Sequence, residues 1–344
     1  MGAGAGKRVV VTGATGNVGT SVVRALTEGD EVSSVLGLAR RPPAWSPPRT
    51  EWASVDVSHE DVGGRLVELF RGADAVVHLA WRIQPTRDPV VTWRANVLGS
   101  VSVFRAVAEA KVPALAYASS VAAYAPGPKD AAVDESWPTH GWPTSAYCRE
   151  KAYLERLLDA FEHDNPGVRV IRMRPAFMFK REAASEQRRI FGGRYLPGPV
   201  LRPRLLPFVP DLPGLRFQVL HTDDAARAFL LALAGDAHGA FNLAAQPPLD
   251  AHVLAELFGA RVIKMPAAVA RSGLSAAWGL RLAAVPPQLF DALLRVPLLD
   301  VSRARSVLGW EPEVTAIDAF QEMLHGVQDG SGADTPPLAG HKVA

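Results

Sequence analysis

The chain has 344 residues, of which 48% are apolar or aromatic and 21% are charged, and its formal net charge is +2. This length predicts two domains, or one large α/β domain with an added lobe. The near-neutral charge excludes nucleic-acid binding by bulk electrostatics. The single cysteine, Cys148, excludes an intramolecular disulfide and a cysteine-based zinc site. Because no segment has 18 uninterrupted apolar residues and no signal-peptide pattern precedes residue 13, we expect no membrane partner and a cytoplasmic location.

Short apolar runs alternate with helical patterns through the first half of the chain. The apolar runs predict strands over 8–11, 34–39, 52–55, 75–79, 114–119 and 168–173. The helical patterns predict helices over 18–26, 62–70, 92–110 and 145–162. Continuously apolar strands separated by helices are typical of a parallel sheet that is covered on both faces. The sequence therefore predicts an α/β fold with a doubly wound parallel sheet of the Rossmann type.

The pattern changes after residue 175, where residues 181–216 are rich in Arg, Pro and Gly and show weak periodicity. Later segments predict a strand over 240–243 and helices over 223–233, 250–258, 268–284, 288–295, 302–308 and 315–327. We expect a Rossmann domain over 7–175, to which about 218–245 return, and a smaller, mainly helical substrate-binding lobe from 176–217 and 246–327. The small, polar composition of 328–344 predicts a disordered tail.

A glycine-rich segment between the first predicted strand and helix is the sharpest local signal. In it, Gly13 would permit a tight turn, Gly16 would let backbone approach a pyrophosphate, and Gly19 would let the helix pack on the strand. The helix N-terminus adds N–H donors and the positive end of the helix dipole. The segment favours dinucleotide binding over a tight turn without a ligand. Its candidate cofactor-binding residues are Gly13, Thr15, Gly16, Asn17, Val18 and Gly19.

The end of the second strand is expected to contact the adenosine ribose. An acid there would bond the 2′-hydroxyl, whereas an arginine would accept a 2′-phosphate. Ala39 occupies the place of the acid, and Arg40 and Arg41 follow it, which favours NADP over NAD as the cofactor. Solvated loop charges are the alternative interpretation. Asp56, with the backbone of Val57, is placed to meet the adenine edge, although a strand-end aspartate could simply cap the following turn.

A second signal is the pair Tyr147 and Lys151, which share one face of a helix at i and i+4. An ammonium beside a phenol favours the phenolate, so we expect Lys151 to lower the pKa of Tyr147. Ser119 and Ser120 lie at the end of the fifth strand, where a serine could bond a carbonyl or alcohol oxygen beside the tyrosine. The pair alone occurs often by chance. Together with the glycine-rich turn and the serine, it predicts proton transfer coupled to a dinucleotide.

With these motifs, the chain resembles the extended short-chain dehydrogenase/reductases, the group that contains the NAD-dependent epimerases and dehydratases. The resemblance covers roughly residues 8–327. Besides the glycine-rich turn, Ser119-Ser120, Tyr147 and Lys151, it rests on His78-Leu79-Ala80, Asn96-Val97-Leu98-Gly99, Tyr124, Arg174-Pro175, His221-Thr222-Asp223-Asp224-Ala225, Phe241-Asn242-Leu243, Ser302-Arg303-Ala304-Arg305 and Leu308-Gly309-Trp310.

The resemblance implies three catalytic residues. Tyr147 would be the acid/base, and Ser120 would orient the substrate oxygen. Tyr147 and Lys151 would also be cofactor-binding residues, with Lys151 on the nicotinamide ribose hydroxyls. Ser120 is chosen over Ser119 because the family's catalytic hydroxyl lies four residues before the tyrosine that Tyr124 matches.

The resemblance also implies supporting roles. Leu79 and Ala80 would line the cofactor channel, and Asn96 would support the helix that carries part of a proton relay. The helices over 92–110 and 145–162 could form a four-helix homodimer interface, although packing on the sheet explains much of the same pattern.

The chain departs from the family pattern in three places. These departures argue against a nucleotide-sugar substrate and leave the residues of the redox core unchanged. The usual acid is missing at Ala39, no asparagine follows Arg174-Pro175, and the segment 181–216 matches no substrate pattern. Its arginines could grip a phosphate or carboxylate, or could form a solvated surface. These arginines are Arg181, Arg188, Arg189, Arg194, Arg202 and Arg204.

Other polar and aromatic residues near the motifs have simpler interpretations. The nine histidines show no metal spacing, so no metal is expected. His78 is expected to be a packed core residue, and Asp223 or Asp224 to cap a helix. Three tryptophans flank the motifs and could wall the pocket or only pack. They are Trp81, Trp137 and Trp142.

The sequence thus predicts an NAD(P)-dependent enzyme of the epimerase/dehydratase type. It would act on a hydroxyl or carbonyl carbon of a small molecule such as a nucleotide sugar. An NADPH-dependent carbonyl reductase is the alternative, because both share the same first half-reaction. A further interpretation, from another functional class, is a nucleotide-binding sensor that catalyses no reaction.

Overall fold

The structure of the protein, a computed structural model, describes residues 6–84, 86–192 and 206–340. The strands in these ranges are β1 (Lys7–Thr12), β2 (Val32–Ala39), β3 (Thr50–Ser54), β4 (Ala75–His78), β5 (Ala114–Ala118), β6 (Ala132–Val133), β7 (Arg169–Pro175), β8 (Phe177–Phe179), β9 (Phe208–Asp211), β10 (Arg216–Phe217), β11 (Val219–His221), β12 (Gly239–Leu243), β13 (Leu249–Asp250), β14 (Arg261–Lys264) and β15 (Leu298–Leu299).

The helices in the same ranges are α1 (Asn17–Glu28), α2 (Val62–Phe70), α3 (Pro89–Trp93), α4 (Gly99–Glu109), α5 (Ala146–Asp164), α6 (Ala184–Gln187), α7 (Thr222–Ala234), α8 (Ala251–Phe258), α9 (Ala267–Gly279), α10 (Pro287–Leu293), α11 (Ser302–Leu308) and α12 (Ala316–Asp329). Short 3₁₀ helices cover Val121–Ala123 and Arg181–Ala183, and π-helical turns cover Arg94–Leu98 and Arg188–Gly192. None of these helices combines the length and the apolar character needed to cross a membrane.

Seven parallel strands form the central sheet in the order β12-β7-β5-β4-β1-β2-β3. The order reverses between β1 and β4, and ligands bind at such a switch point, beyond the carboxyl ends of the strands. The predicted doubly wound Rossmann sheet is therefore confirmed, and most of the lobe that follows it is helical, as predicted.

The residues of β1 explain why the sheet is covered on both faces. Val9 and Val11 belong to one buried apolar cluster, and Val10 belongs to the cluster on the opposite face. Successive side chains of a strand point to opposite faces, so an uninterrupted run of valines is stable only between two layers of helices. The α1 and α7 helices pack on one face and α2 and α4 on the other.

The helix predicted over 92–110 is not continuous. It consists of α3, the π-helical turn Arg94–Leu98 and α4. Asp88 begins α3 by accepting hydrogen bonds from the backbone N–H groups of Val90 and Val91. A π-helical turn inserts one extra residue, and such turns are frequent at functional sites. Here it carries the side chain of Asn96 towards α5.

The C-terminal part of the predicted lobe is divided between two cores. The β9 and β14 strands pair beside α8 and share a small cluster with Phe258 and Leu324. In contrast, Val301 and Trp310 belong to the large cluster beneath the central sheet. Val301 and Trp310, which follow β15, thus help to cover the sheet, whereas Leu324 packs with the lobe.

Residues 330–340 do not form the disordered tail that their composition predicted. Leu338 is fully buried, and the side chain of Thr335 is 3% exposed. The backbone N–H of Leu338 donates to the carbonyl of Thr335, and that of Ala333 donates to the carbonyl of Leu338. The buried Leu338 and Thr335 help to hold the segment in place, and a composition averaged over the whole tail does not reveal two such residues.

Candidate functional site

The glycine-rich turn begins where β1 ends, and its first glycine has no room for a side chain. Gly13 has φ +68°, in the left-handed region. A Cβ at this position would lie 2.7 Å from the backbone nitrogen of Ala80. Gly13 is therefore required by the backbone conformation and by the close approach of the segment that follows β4.

Gly16 and Gly19 differ in what surrounds them. A Cβ at Gly19 would lie 2.2 Å from the carbonyl oxygen of Gly13, so this glycine allows α1 to pack on the turn. Gly16 has an ordinary φ of −83°, and a Cβ there would meet only the Gly13 oxygen, at 3.4 Å. The protein's own packing does not require a glycine at 16. An open cradle at an uncapped helix N-terminus fits the phosphates of a dinucleotide.

The other residues predicted around this turn lie beside it. Thr15 and Val18 belong to the turn and the first turn of α1. Asn17 donates from Nδ2 to the carbonyl of Met178 at 3.1 Å, while its buried Oδ1 has no partner among the described residues. The turn is thus connected to the segment after β7.

The end of β2 presents two arginines and no acid. Arg40 and Arg41 are exposed, and Ala39 is buried. Asp56 accepts hydrogen bonds from the backbone N–H of Ser58 at 3.0 Å and from its hydroxyl at 2.7 Å. Burial would raise the pKa of Asp56, but these bonds outweigh it and hold the pKa below its usual value. The carboxylate therefore closes a local turn, as the alternative interpretation expected.

The end of β4 brings Leu79 and Ala80 against the turn. The backbone N–H of Leu79 donates to the carbonyl of Thr12 at 3.1 Å, and that of Ala80 donates to the Thr12 hydroxyl at 3.3 Å. His78 lies between the hydroxyls of Thr12 and Ser100, at 2.7 and 2.8 Å. Burial lowers its pKa to about 3. His78 is therefore a neutral core residue, as expected.

The two serines after β5 have different partners. Ser119 donates to Oε1 of the buried Glu155 at 2.5 Å. Ser120 begins the following 3₁₀ helix, and its Oγ lies 3.3 Å from the phenol oxygen of Tyr147. The structure thus brings Ser120 and Tyr147 together, as predicted, and directs Ser119 away from them.

Lys151 lies one turn after Tyr147 on α5 and is 3% exposed. Its Nζ donates to the carbonyl of Ala118 at 2.6 Å. Burial lowers the pKa of Lys151 to about 7, although two carboxylates on the same helix oppose the shift. Burial also raises the pKa of Tyr147 to about 12, with the hydrogen bond to Ser120 acting in the other direction. The expectation that Lys151 lowers the pKa of Tyr147 is therefore not met, because the ammonium is bound to a carbonyl and the phenol is buried.

Trp81 forms a wall of this site. Its ring centroid lies 3.5 Å from Nζ of Lys151 and 5.7 Å from the ring of Tyr147, which it meets edge-on. A tryptophan face attracts a cation, and its edge packs well against another aromatic ring. Of the other two tryptophans, Trp142 packs against the small buried cluster that Tyr147 also contacts, and Trp137 packs against the large core.

Glu150 is a site residue that the sequence interpretation missed. It is 3% exposed, and its two oxygens accept hydrogen bonds from Thr92 and Asn96, both at 2.7 Å. Asn96 also clamps the backbone of Arg82, accepting from its N–H at 2.7 Å and donating to its carbonyl at 2.8 Å. Burial raises the pKa of Glu150 against these bonds. Its position three residues after Tyr147, on the same face of α5, is the sequence signal that could have identified it as a site residue.

A cavity of about 190 Å³ opens beside Tyr147. Arg82, Glu150 and Thr144 line it from the Rossmann side, and Gln288 and Leu289 of α10 line it from the lobe. The acid/base candidate therefore faces a space between the sheet and the lobe, where a small substrate would fit.

Several residues matched to the family form a buried ionic network instead of contacting the cavity. The guanidinium of Arg174 bonds both oxygens of Glu155, at 2.9 and 3.0 Å, and the Tyr124 hydroxyl at 2.9 Å. Tyr124 in turn donates to Oδ1 of Asn242 at 2.7 Å. Arg172 bonds Glu155 from the other side, at 3.2 Å. This network ties β7 to α5, which carries Tyr147 and Lys151.

The remaining polar candidates bind the protein itself. His221, not either aspartate, caps α7 by accepting from the backbone N–H of Asp223. Arg181 pairs with Asp329, and Arg189 donates to carbonyls of residues 337 and 339. Arg194, Arg202 and Arg204 lie outside the described residues. Within the described ranges, no cluster of His, Cys, Asp and Glu could hold a metal.

Comparison with known families decides what kind of protein this site belongs to. Residues 9–244 match the model of the NAD dependent epimerase/dehydratase family. The chain belongs to this family. The matched range includes the glycine-rich turn, the serine after β5 and the Tyr147–Lys151 pair, so the resemblance seen in the sequence is confirmed.

Two curated relatives match this family member over shorter stretches. A 4-hydroxy-2-methyl-3-oxo-4-farnesyl-3,4-dihydroquinoline-1-oxide ketoreductase of Stigmatella aurantiaca is 28% identical over 172 residues, 50% of each chain. An L-arabinose 1-dehydrogenase (NAD(P)(+)) of Haloferax volcanii is 33% identical over 113 residues, 33% of this chain and 41% of that one. The chain thus matches about half or less of the length of these relatives.

Solved structures share the fold over nearly the whole chain. The UDP-glucose 4-epimerase of Thermus thermophilus, solved in complex with NAD, superposes with a TM-score of 0.67 at 20% identity. The superposition covers 93% of this chain and 99% of the epimerase.

Proposed function

We propose that this family member is an NAD(P)-dependent epimerase/dehydratase-type oxidoreductase that acts at a hydroxyl or carbonyl carbon of a small molecule. The observation that carries the proposal is the 3.3 Å approach of Ser120 Oγ to the Tyr147 phenol, beside the buried Lys151 and facing a cavity. A sensor without turnover would have no need for this arrangement. The family model supports the reaction type.

Each of the three side chains has a defined task in this proposal. Tyr147 gives a proton from its phenol to a substrate carbonyl oxygen, or takes one from an alcohol in the reverse direction. Ser120 donates a hydrogen bond to the same oxygen and fixes its position. Since burial raises the pKa of Tyr147 to about 12, the phenol is protonated at rest and ready to act as an acid.

The residues around the glycine-rich turn would hold the dinucleotide. Gly16 would leave an open cradle for the phosphates, and Leu79 and Ala80, which pack against the turn, would line the cofactor channel. Lys151 would bind the ribose hydroxyls next to the nicotinamide, exchanging its bond to Ala118 for them. Bound in this way, NAD(P) would supply the chemistry of hydride exchange at the substrate carbon.

A carbonyl reductase is the second candidate, and two observations favour it. Ala176 follows Arg174-Pro175 where nucleotide-sugar enzymes typically carry an asparagine, and the two curated relatives are a ketoreductase and a dehydrogenase. Mass spectrometry of the cofactor that remains bound after purification separates the candidates. Retained NAD would support an epimerase or dehydratase, which returns the hydride within each cycle. An empty site that binds NADPH reversibly would support a reductase.

We also propose that NADP is preferred over NAD. Arg40 and Arg41 provide two exposed guanidinium groups at the end of β2, where Ala39 supplies no carboxylate for a ribose 2′-hydroxyl. The wild-type protein should bind NADPH more tightly than NADH. In an Arg40→Ala/Arg41→Ala variant this preference should fall by about 10- to 100-fold, since a charged hydrogen bond contributes about 1.5–3 kcal/mol. Fluorescence titration with both cofactors measures this, with the exposed Arg105→Ala as the control. Equal affinity of the wild type for both would contradict it.

A homodimer is proposed through α3, the π-helical turn and α5. Val90, Trp93, Leu98 and Tyr153 are large apolar side chains exposed on these helices, from 38% to 65%. The rings of Trp93 and Tyr153 lie 5.1 Å apart and form one patch. Light scattering that returns the mass of one chain would contradict the dimer.

A further inference from the structure

The segment 330–340, which we call the C-terminal strap, is fastened to the glycine-rich turn. The Thr335 hydroxyl donates to the carbonyl oxygen of Thr15 at 2.8 Å, and both residues are at least 95% buried. Thr15 lies between Gly13 and Gly16, the two glycines that shape the proposed phosphate cradle. A residue more than 300 positions later in the sequence is thus part of the surroundings of the turn.

The strap is held at a second place by the lobe. The Arg189 guanidinium donates to the carbonyls of Ala339 and Pro337, at 3.0 and 2.6 Å. The backbone N–H of Ser185 donates to the carbonyl of Ser331 at 3.3 Å. The strap therefore spans from the glycine-rich turn to the segment 181–192, which we expected to be part of the substrate lobe.

The strap also lies opposite the loop that follows Arg40 and Arg41, just after β2. A cavity of about 800 Å³ lies between Pro42, Pro43 and Ala44 on one side and the strap on the other. This loop continues directly from Arg40 and Arg41. The cavity therefore lies next to the elements proposed to hold the adenosine half of the dinucleotide.

A layer of buried polar groups continues from the glycine-rich turn to the segment 181–192. Asn17 and Gln187 both donate to the carbonyl of Met178, at 3.1 and 2.8 Å. Their Oδ1 and Oε1 atoms are buried and have no partner among the described residues. Buried acceptors are rarely left unpaired. This layer therefore has capacity for hydrogen bonds from a bound molecule or from ordered water.

We propose that the C-terminal strap is a third wall of the dinucleotide site, which retains the bound NAD(P) and must open before the cofactor can leave. The inference rests on the proposed function, because it takes the glycine-rich turn and the end of β2 as the other two walls. The strap is held by the buried Thr335 hydroxyl, by the buried side chain of Leu338 and by its bonds to Ser185 and Arg189. None of these residues belongs to the central sheet, so the strap can detach without unfolding it.

Release of reduced cofactor from loaded protein tests the strap directly. Stopped-flow fluorescence would follow NADPH and NADH as each is displaced by an excess of the oxidised form. Removal of residues 330–344 should speed release at least about tenfold, and Thr335→Val about fivefold, the equivalent of one buried hydrogen bond. Removal of residues 341–344 alone should leave the rate unchanged.

The matched control is Thr27→Val. The Thr27 hydroxyl is also buried and also donates to a backbone carbonyl, that of Val23 at 3.0 Å, at the far end of α1. Its release rate should equal that of the wild type. The proposal is overturned if the truncated protein releases cofactor at the wild-type rate, or if Thr27→Val speeds release as much as Thr335→Val. A wild-type protein that binds neither NADPH nor NADH gives a different result, which contradicts the proposed function itself.

Discussion

A Tyr147→Phe variant should lose between about 10²- and 10⁴-fold in kcat/KM, the usual contribution of a positioned general acid or base. The phenol is the group that faces the cavity within 3.3 Å of Ser120, and phenylalanine keeps the ring but has no proton to transfer. The ring would still pack edge-on against Trp81. The loss should therefore appear in turnover, with the affinity for NAD(P)H and the free energy of unfolding close to wild type.

The control for this variant lies on the same helix. Tyr153 is 45% exposed on α5 and faces away from the cavity residues, so Tyr153→Phe should retain wild-type turnover. Both rates are read from the absorbance of the reduced nicotinamide, with the same substrate and cofactor. A Tyr147→Phe protein as active as Tyr153→Phe would remove Tyr147 from the proposed chemistry.

A Glu155→Gln variant should be destabilised by about 3 kcal/mol, as expected when one partner of a buried ion pair loses its charge. Glu155 is 1% exposed, and its carboxylate bonds Arg174 through two nitrogens and Arg172 through one. The amide would leave two buried guanidinium groups without their shared counter-charge. Urea unfolding followed by circular dichroism measures the loss.

The same carboxylate predicts a pH dependence. Burial would raise the pKa of Glu155, but its bonds to Arg174 and Ser119 outweigh burial and lower it below 4.5. A group whose pKa is lowered by folding stabilises the folded state above its unfolded pKa. This stabilisation is therefore complete above about pH 4.5 and is lost as the pH falls through the lowered value. Glu155→Gln should remove that part of the acid sensitivity.

The control is a glutamate whose ion pair is exposed. Glu68 pairs with Arg65 on α2, and both side chains are more than half exposed. Glu68→Gln should change the free energy of unfolding by less than about 0.5 kcal/mol. Equal effects at positions 155 and 68 would contradict the account of the buried network.

The sheet could be predicted because each strand carries its signal in its own residues. The β1 and β4 strands each contain consecutive apolar residues, mostly valines. A strand needs apolar side chains on both faces only when both faces are covered. The glycine-rich turn could likewise be assigned in part. A sequence cannot say, however, which of its glycines is crowded and which is open, because Gly13 is limited by Ala80, 67 positions later.

Other features depend on contacts that no local pattern carries. Glu150 looks like an ordinary helical surface charge, and only Thr92 and Asn96 make it a buried site residue. The same contact accompanies the π-helical turn that interrupts the predicted helix. Thr335 and Leu338 stand alone in a polar segment, so no periodicity indicated that the segment would pack.

The central claim is that the glycine-rich turn binds a dinucleotide, and a valine at Gly16 tests it most directly. Gly16 and Gly29 lie at opposite ends of α1 with ordinary φ values of −83° and −91°. A Cβ added at Gly16 would meet only the Gly13 oxygen, at 3.4 Å, and a Cβ added at Gly29 would meet nothing within 4 Å. The two variants should therefore unfold within about 1 kcal/mol of each other.

The measurement is fluorescence titration of both variants with NADPH and NADH. Because a side chain at 16 would enter the open cradle, Gly16→Val should bind at least about 100-fold more weakly, while Gly29→Val binds as the wild type does. A folded Gly16→Val protein with wild-type affinity for both cofactors would contradict the account.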